Sequence, residues 1–115
     1  MTSLMDGRVE ITLAGHPATL VPTLGAAMEL CRRHGSFMVL MGKLADLDLN
    51  AAIDVVRLGC GRTESEHGAV SQQVFESGLV ELMPRLSAYV FTLANGGRPR
   101  KDDEGGDDDA GPFVA

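Results

Sequence analysis

The residues able to do chemistry are few and badly spaced. Cys31 and His34 stand one helical turn apart, and Cys60 and His67 follow later, so a two-cysteine, two-histidine zinc set exists on paper. The second pair is separated by seven residues across a glycine turn, which matches no standard zinc-ligand spacing. A Cys–His nucleophilic pair fares no better. Cys31 falls on an apolar helix face, where burial desolvates a thiol rather than activating it. Gly59-Cys60-Gly61 is too short for a phosphate loop and lacks the Lys-Ser/Thr that would follow. Asp46, Asp48 and Asp54 lack the Gly and closing Glu of a calcium loop, and helix capping explains them better. The sequence therefore predicts no catalytic residue, no metal and no cofactor.

What the sequence supplies in quantity is apolar stripes. Arg8, Glu10 and Thr12 alternate with Val9, Ile11 and Leu13, the period-two pattern of a half-buried strand. Ala14 to Pro17 reads as a turn and Ala18 to Val21 as a short return strand bracketed by Pro17 and Pro22. Helical segments follow from Thr23 to Gly35, Ser36 to Leu44, Asp48 to Gly59, Thr63 to Gly78 and Leu79 to Gly97. In the first, Leu24, Ala27, Met28 and Cys31 fall at i, i+3, i+4 and i+7 and are expected to face the core, with Thr23 as cap and Glu29–Arg33 as a surface pair. Phe37, Leu40, Met41 and Leu44 do the same in the second. Leu49, Ala52, Ile53 and Val56 do so in the third. Thr63 with Glu66 has the form of a capping box, ahead of Val70, Val74 and Phe75. In the last segment Leu79, Leu82, Leu86, Val90 and Leu93 form the central stripe, with Val80, Met83, Tyr89 and Phe91 beside it. Pro84 restricts where that helix can begin, because proline is tolerated in a first turn.

The expected fold is α+β and mainly α: an N-terminal β-hairpin packed on about five short helices over residues 1–97, then an acidic tail over 98–115. The tail holds three basic and six acidic residues, half of the net charge of −6 over 115 residues. With little to bury, it is expected to be disordered and solubilising, and Pro112-Phe113-Val114 is the sharper alternative as a linear motif. The net negative charge argues against nucleic acid, whose binding needs clustered Lys and Arg. No apolar run is long enough for a membrane span and no targeting segment is visible, so a soluble, cytoplasmic chain with reduced thiols is expected. Trp is absent and Met occurs six times, which suits adaptable packing or adaptable binding.

Two strings, Gly7-Arg8-Val9-Glu10-Ile11-Thr12-Leu13-Ala14-Gly15 and Leu20-Val21-Pro22-Thr23-Leu24-Gly25-Ala26-Ala27-Met28-Glu29-Leu30, resemble the small tail protein of gene transfer agents and related tailed phages. Val55-Val56-Arg57-Leu58-Gly59-Cys60-Gly61, Val74-Phe75-Glu76-Ser77-Gly78-Leu79 and Leu93-Ala94-Asn95-Gly96-Gly97 extend the similarity over about Gly7 to Gly97. The family carries two descriptions, tail tube component and tail assembly chaperone. One hairpin is too little β-structure for a stacking tube ring, so the resemblance, taken with the helical pattern, implies an assembly chaperone or adaptor. Its implied partners are the tape-measure protein and the tail tube protein, met in the bacterial cytoplasm during tail assembly, with a homo-oligomer as a further option. A structural tail tube or neck component retained in the particle is the alternative. The expected partner-contact residues are Met83 and Phe91 on the last helix and Val9 and Ile11 on the hairpin.

Overall fold

The computed structural model describes residues 7–98, so the acidic stretch and the possible motif at Pro112-Phe113-Val114 lie outside the described residues. Two strands, β1 (Val9–Leu13) and β2 (His16–Leu20), form an antiparallel hairpin. Five helices follow: α1 (Leu24–His34), α2 (Phe37–Ala45), α3 (Leu49–Gly59), α4 (His67–Ser77) and α5 (Leu79–Ala94), with a single 3-10 turn, Glu64–Glu66, ahead of α4. The fold is α+β and mainly helical, as the sequence pattern implies.

Local chemistry sets most boundaries. The side chains of Thr23, Ser36 and Asp48 accept the backbone N–H groups of Ala26, Val39 and Ala51 at 3.0 to 3.1 Å, so each helix starts on an oxygen that satisfies an orphan donor. Thr63 and Glu66 form their capping box, with Thr63 N–H donating to Glu66 Oε1 at 2.8 Å, but the turn it starts is 3-10 before α4 begins. The hairpin turn is tighter than its sequence suggests. Ala14 and Gly15 both take positive φ, 51° and 84°, the pattern of a two-residue type I′ turn. His16 and Pro17 thereby belong to β2. Pro17 sits opposite Thr12, a non-hydrogen-bonded position where its missing N–H costs the ladder nothing.

The core is aliphatic. Leu20, Leu30, Leu40, Val55, Val56, Val70, Val74, Leu86 and Val90 are fully enclosed, and α3 is the central helix, buried from Ala51 to Arg57. The hairpin packs Ile11, Leu13 and Leu20 on this core, and its tightest junction is at the end of β2. Leu20 lies against Gly59, where a β-carbon would come within 2.8 Å of Leu20 Cδ2. Val21 N–H donates to the Gly59 carbonyl at 2.8 Å, and the buried Tyr89 hydroxyl donates to the Val21 carbonyl at 2.7 Å. Three elements meet there on two hydrogen bonds and a bare glycine.

Four expectations are corrected. Leu24 and Met28 are 75% and 64% exposed, and α1 buries Ala26 and Leu30 instead. Ala26 and Leu30 lie at i, i+4, so α1 has a second apolar face, and that face packs on the core. Phe75 on α4 and Val80 on α5 are likewise exposed, the inward positions of α4 being Val70 and Val74. Leu49 sits at the rim of α3 rather than inside it. Pro84 lies in the second turn of α5, because the helix already starts at Leu79. The donor it withholds would have met the carbonyl of Val80, an exposed residue whose backbone water can serve.

Two measurements test the Gly59–Tyr89 junction. Gly59→Ala is expected to lower unfolding free energy by about 1 to 3 kcal/mol through overpacking on Leu20, more than the gain of up to about 1 kcal/mol in helix propensity, as read by urea denaturation. Burial raises the ionisation of Tyr89 well above the ordinary tyrosine range, with the Cys60 thiol adding to the same direction. The neutral hydroxyl is favoured in the folded chain, so this stability is complete below the unfolded tyrosine value of about 10 and is lost as pH rises beyond it. Stability should fall above about pH 10 more steeply in the native sequence than in Tyr89→Phe.

Candidate partner surfaces and a buried polar network

A dense polar assembly joins three helices through a histidine. His34 ends α1 with its ring almost enclosed, and its Nε2 lies 2.9 Å from Asp54 Oδ2 on α3. Lys43 Nζ from α2 lies 3.0 Å from the other ring nitrogen, Nδ1. An ammonium can only donate, so Nδ1 accepts and the proton of the neutral ring sits on Nε2, donated to Asp54. Chemistry alone thus fixes the tautomer.

The network continues outward through arginines. Arg33 approaches Asp54 at 3.6 Å and Glu64 at 3.2 Å, and Arg57 of α3 reaches the same Glu64 oxygen at 3.2 Å. Arg57 is almost fully buried, donates to the Arg62 carbonyl at 3.3 Å, and has no partner for its Nε among the described residues. At the surface end, Arg32 and Arg33 both hold Glu29, and these hydrogen bonds lower its carboxyl to about 2. The expected Glu29–Arg33 pair is therefore one edge of a larger lattice.

A histidine held by a carboxylate has the outline of a general base, but here the second nitrogen is occupied by Lys43. Neither of the two cavities described below reaches it. The geometry is that of a cross-link between α1, α2 and α3. Nothing in the spacing of His34, Lys43 and Asp54 announces it, since the three belong to three helices.

The four residues of the paper zinc set are used separately. His34 belongs to the network, His67 lies near Ser71 Oγ at 3.4 Å, and Cys31 and Cys60 are half-buried free thiols, with burial pushing the Cys60 thiol up. Among the described residues no group of three or more His, Cys, Asp or Glu is placed to hold an ion.

The expected contact residues divide. Ile11 is buried in the core and Val9 is half-buried against it, because the apolar face of β1 is the face that packs on the helices, so the Ile11 side chain is not available to a partner. Met83 is half-buried and lines a small cavity with Leu44, Leu47, Ala52 and Leu86. Phe91 is 36% exposed. The larger outward-facing apolar groups lie elsewhere: Leu24 and Met28 at i, i+4 on α1, Met38, 78% exposed, with Val39 on α2, and Phe75 and Val80 across the α4–α5 break. Periodicity could have found the α1 pair, but it reads a stripe without saying which side of the wall the stripe is on.

A groove of about 410 Å³ runs between β1 and α5, lined by Glu10, Thr12 and Pro17 on the hairpin and Glu81 and Arg85 on the helix. Arg85 Nη1 donates across it to the Glu10 carbonyl at 2.6 Å. Among the described residues no helix is long and apolar enough to cross a membrane.

Comparison with protein-family models, with curated proteins and with solved structures gives no match. The functional reading therefore rests on these surfaces and on the sequence strings.

Removing one arm of the network should be felt throughout it. Asp54→Ala strips the acceptor from His34 and a counter-charge from Arg33, and an expected loss of about 2 to 4 kcal/mol is measurable by urea denaturation at neutral pH. Lys43→Met, which keeps the stem and leaves His34 bonded to Asp54, should cost less than half as much.

Proposed function

We propose that this chain is a non-catalytic assembly chaperone or adaptor of a phage-like, gene-transfer-agent tail, holding apolar helical segments of the tape-measure protein before the tail tube protein encloses them. The observation that carries the reading is the set of large apolar side chains turned outward on the helices, above all Leu24 and Met28 on α1 and Met38 on α2. Exposed apolar groups at i, i+4 spacing are what an amphipathic client helix can lie against, and unbranched methionine adapts to varied client sequences. The order of the tail-protein-like strings along the chain supports the same reading. Site chemistry favours binding over catalysis, since the enclosed His34 is engaged on both ring nitrogens.

The alternative, a tail tube or neck component that stays in the particle, draws its support from the hairpin, whose β1 strand borders a groove rather than a third strand.

Fate separates the two. A chaperone co-purifies with the tape-measure protein from lysate and is missing from finished particles, whereas a structural component is recovered in them. The helix faces are tested by Met28→Glu and Met38→Glu. At such exposed positions each should change stability by no more than about 0.5 kcal/mol. Together they are expected to abolish pull-down of tape-measure fragments while circular dichroism stays native. Normal pull-down by the folded double variant would overturn the assignment of these faces.

A further inference from the structure

The hairpin has two rims, and only one can accept another strand. Leu13 and His16 flank the two-residue turn as a hydrogen-bonded pair, so Ile11–Ala18 and Val9–Leu20 are hydrogen-bonded pairs as well. The backbone groups of Glu10, Thr12, Pro17 and Thr19 consequently point away from the ladder. On β2 that rim is blunted: Pro17 has no N–H to offer, and just beyond the strand Val21 is already bonded to Gly59. On β1 both Glu10 and Thr12 carry an outward N–H and an outward carbonyl, and both line the groove against α5. The Glu10 carbonyl is met by Arg85, whose guanidinium donates where the N–H of a neighbouring strand would.

We propose that this rim is a β-augmentation site, where one extended segment of a partner protein bearing Lys or Arg lies in the groove as a third strand along Glu10–Thr12. Main-chain pairing supplies the affinity, and a two-stranded sheet gains from a third strand because a lone hairpin is marginal. The occupant is taken as a single segment because α5 borders the groove together with the hairpin. It is basic because two carboxylates, Glu10 and Glu81, line the groove against the single guanidinium of Arg85, which leaves the lining net negative. The inference rests on the chain being a partner-binding module, but it uses a surface other than the α1 and α2 faces.

The probe is the blocked peptide acetyl-Val-Lys-Val-Lys-Val-amide, titrated into the full chain labelled with 15N, beside the same peptide N-methylated at alternate amides. Amide shifts are expected at Glu10 to Thr12 and along α5 near Glu81 and Arg85. N-methylation should weaken binding at least about tenfold by removing the strand's donors. Glu81→Gln, an exposed change that leaves the fold intact, should weaken it about threefold, the scale of a surface ion pair. Arg85→Ala, which vacates the Glu10 carbonyl, should tighten it. Equal binding of the N-methylated peptide, shifts confined to other surfaces, or no shifts at millimolar peptide would each overturn the proposal. So would shifts of the β1 amides with protein concentration alone, which would assign the rim to a second copy. A chain that ignores tape-measure fragments yet takes the peptide at this rim keeps the inference and discards the chaperone reading.

Discussion

A two-stranded hairpin cannot hold itself together in water, so the architecture depends on the place where it is fastened. That place is the end of β2, where Leu20 rests on Gly59, Val21 N–H binds the Gly59 carbonyl and Tyr89 binds the Val21 carbonyl. Each partner comes from a different part of the chain: the hairpin, the last residue of the central helix and the middle of the last helix. Tyr89 is the only tyrosine, and its ring is fully buried while its hydroxyl satisfies a carbonyl that the ladder no longer reaches. A side chain at position 59 would crowd both Leu20 and the Tyr89 ring, the two groups that hold the hairpin there. At the same end of the hairpin, just before β1, Gly7 abuts Thr92 of α5 and Gly97, so this base is held to α5 as well.

Where α1, α2 and α3 meet, a polar network adds to the packing of Leu30, Leu40 and Leu44. His34, Asp54 and Lys43 tie α1, α2 and α3, and Arg33 and Arg57 share Glu64 just outside them. Such an arrangement is costly to break and of modest net value when intact, so its contribution is to geometry more than to stability. It sets how α1 and α2 stand on α3, and α1 and α2 are the helices that carry Leu24, Met28 and Met38 outward. A rigid joint behind an adaptable face suits a binding surface, since the order is already present in the free chain.

How much of this the sequence discloses varies with the range of the interaction involved. The caps at Thr23, Ser36 and Asp48, the hairpin and the stripe of Leu82, Leu86, Val90 and Leu93 are local patterns and are read directly. α1 misleads because it carries two apolar sides, and the one with the larger residues looks like the core. The structure buries Ala26 and Leu30 instead. Phe75 misleads in the same way, one position beyond Val74 on a helix whose inward face is narrow. Pro17 and Pro84 mislead because their cost depends on whether the missing N–H had a partner to lose, and at a non-ladder position or beside an exposed carbonyl it is small. The His34 network was illegible because all of its members are distant in sequence. Of the expected contact residues, the reasoning from stripes placed Ile11 on the correct side of the strand for packing and therefore on the wrong side for a partner.

The two surfaces left open are of different kinds, and that difference bears on the proposed chaperone role, in which a client is first held and then released. The outward methionines and leucines offer contact without direction, so a helix can lie on them in several registers and leave without breaking any specific bond. The β1 rim offers directional main-chain bonds in one register only, against a carbonyl already occupied by Arg85. A segment that enters the rim must displace that guanidinium, and its departure lets the guanidinium return, so the empty site remains satisfied. A guanidinium placed on the edge from within blunts it in the way that charged side chains blunt exposed strand edges.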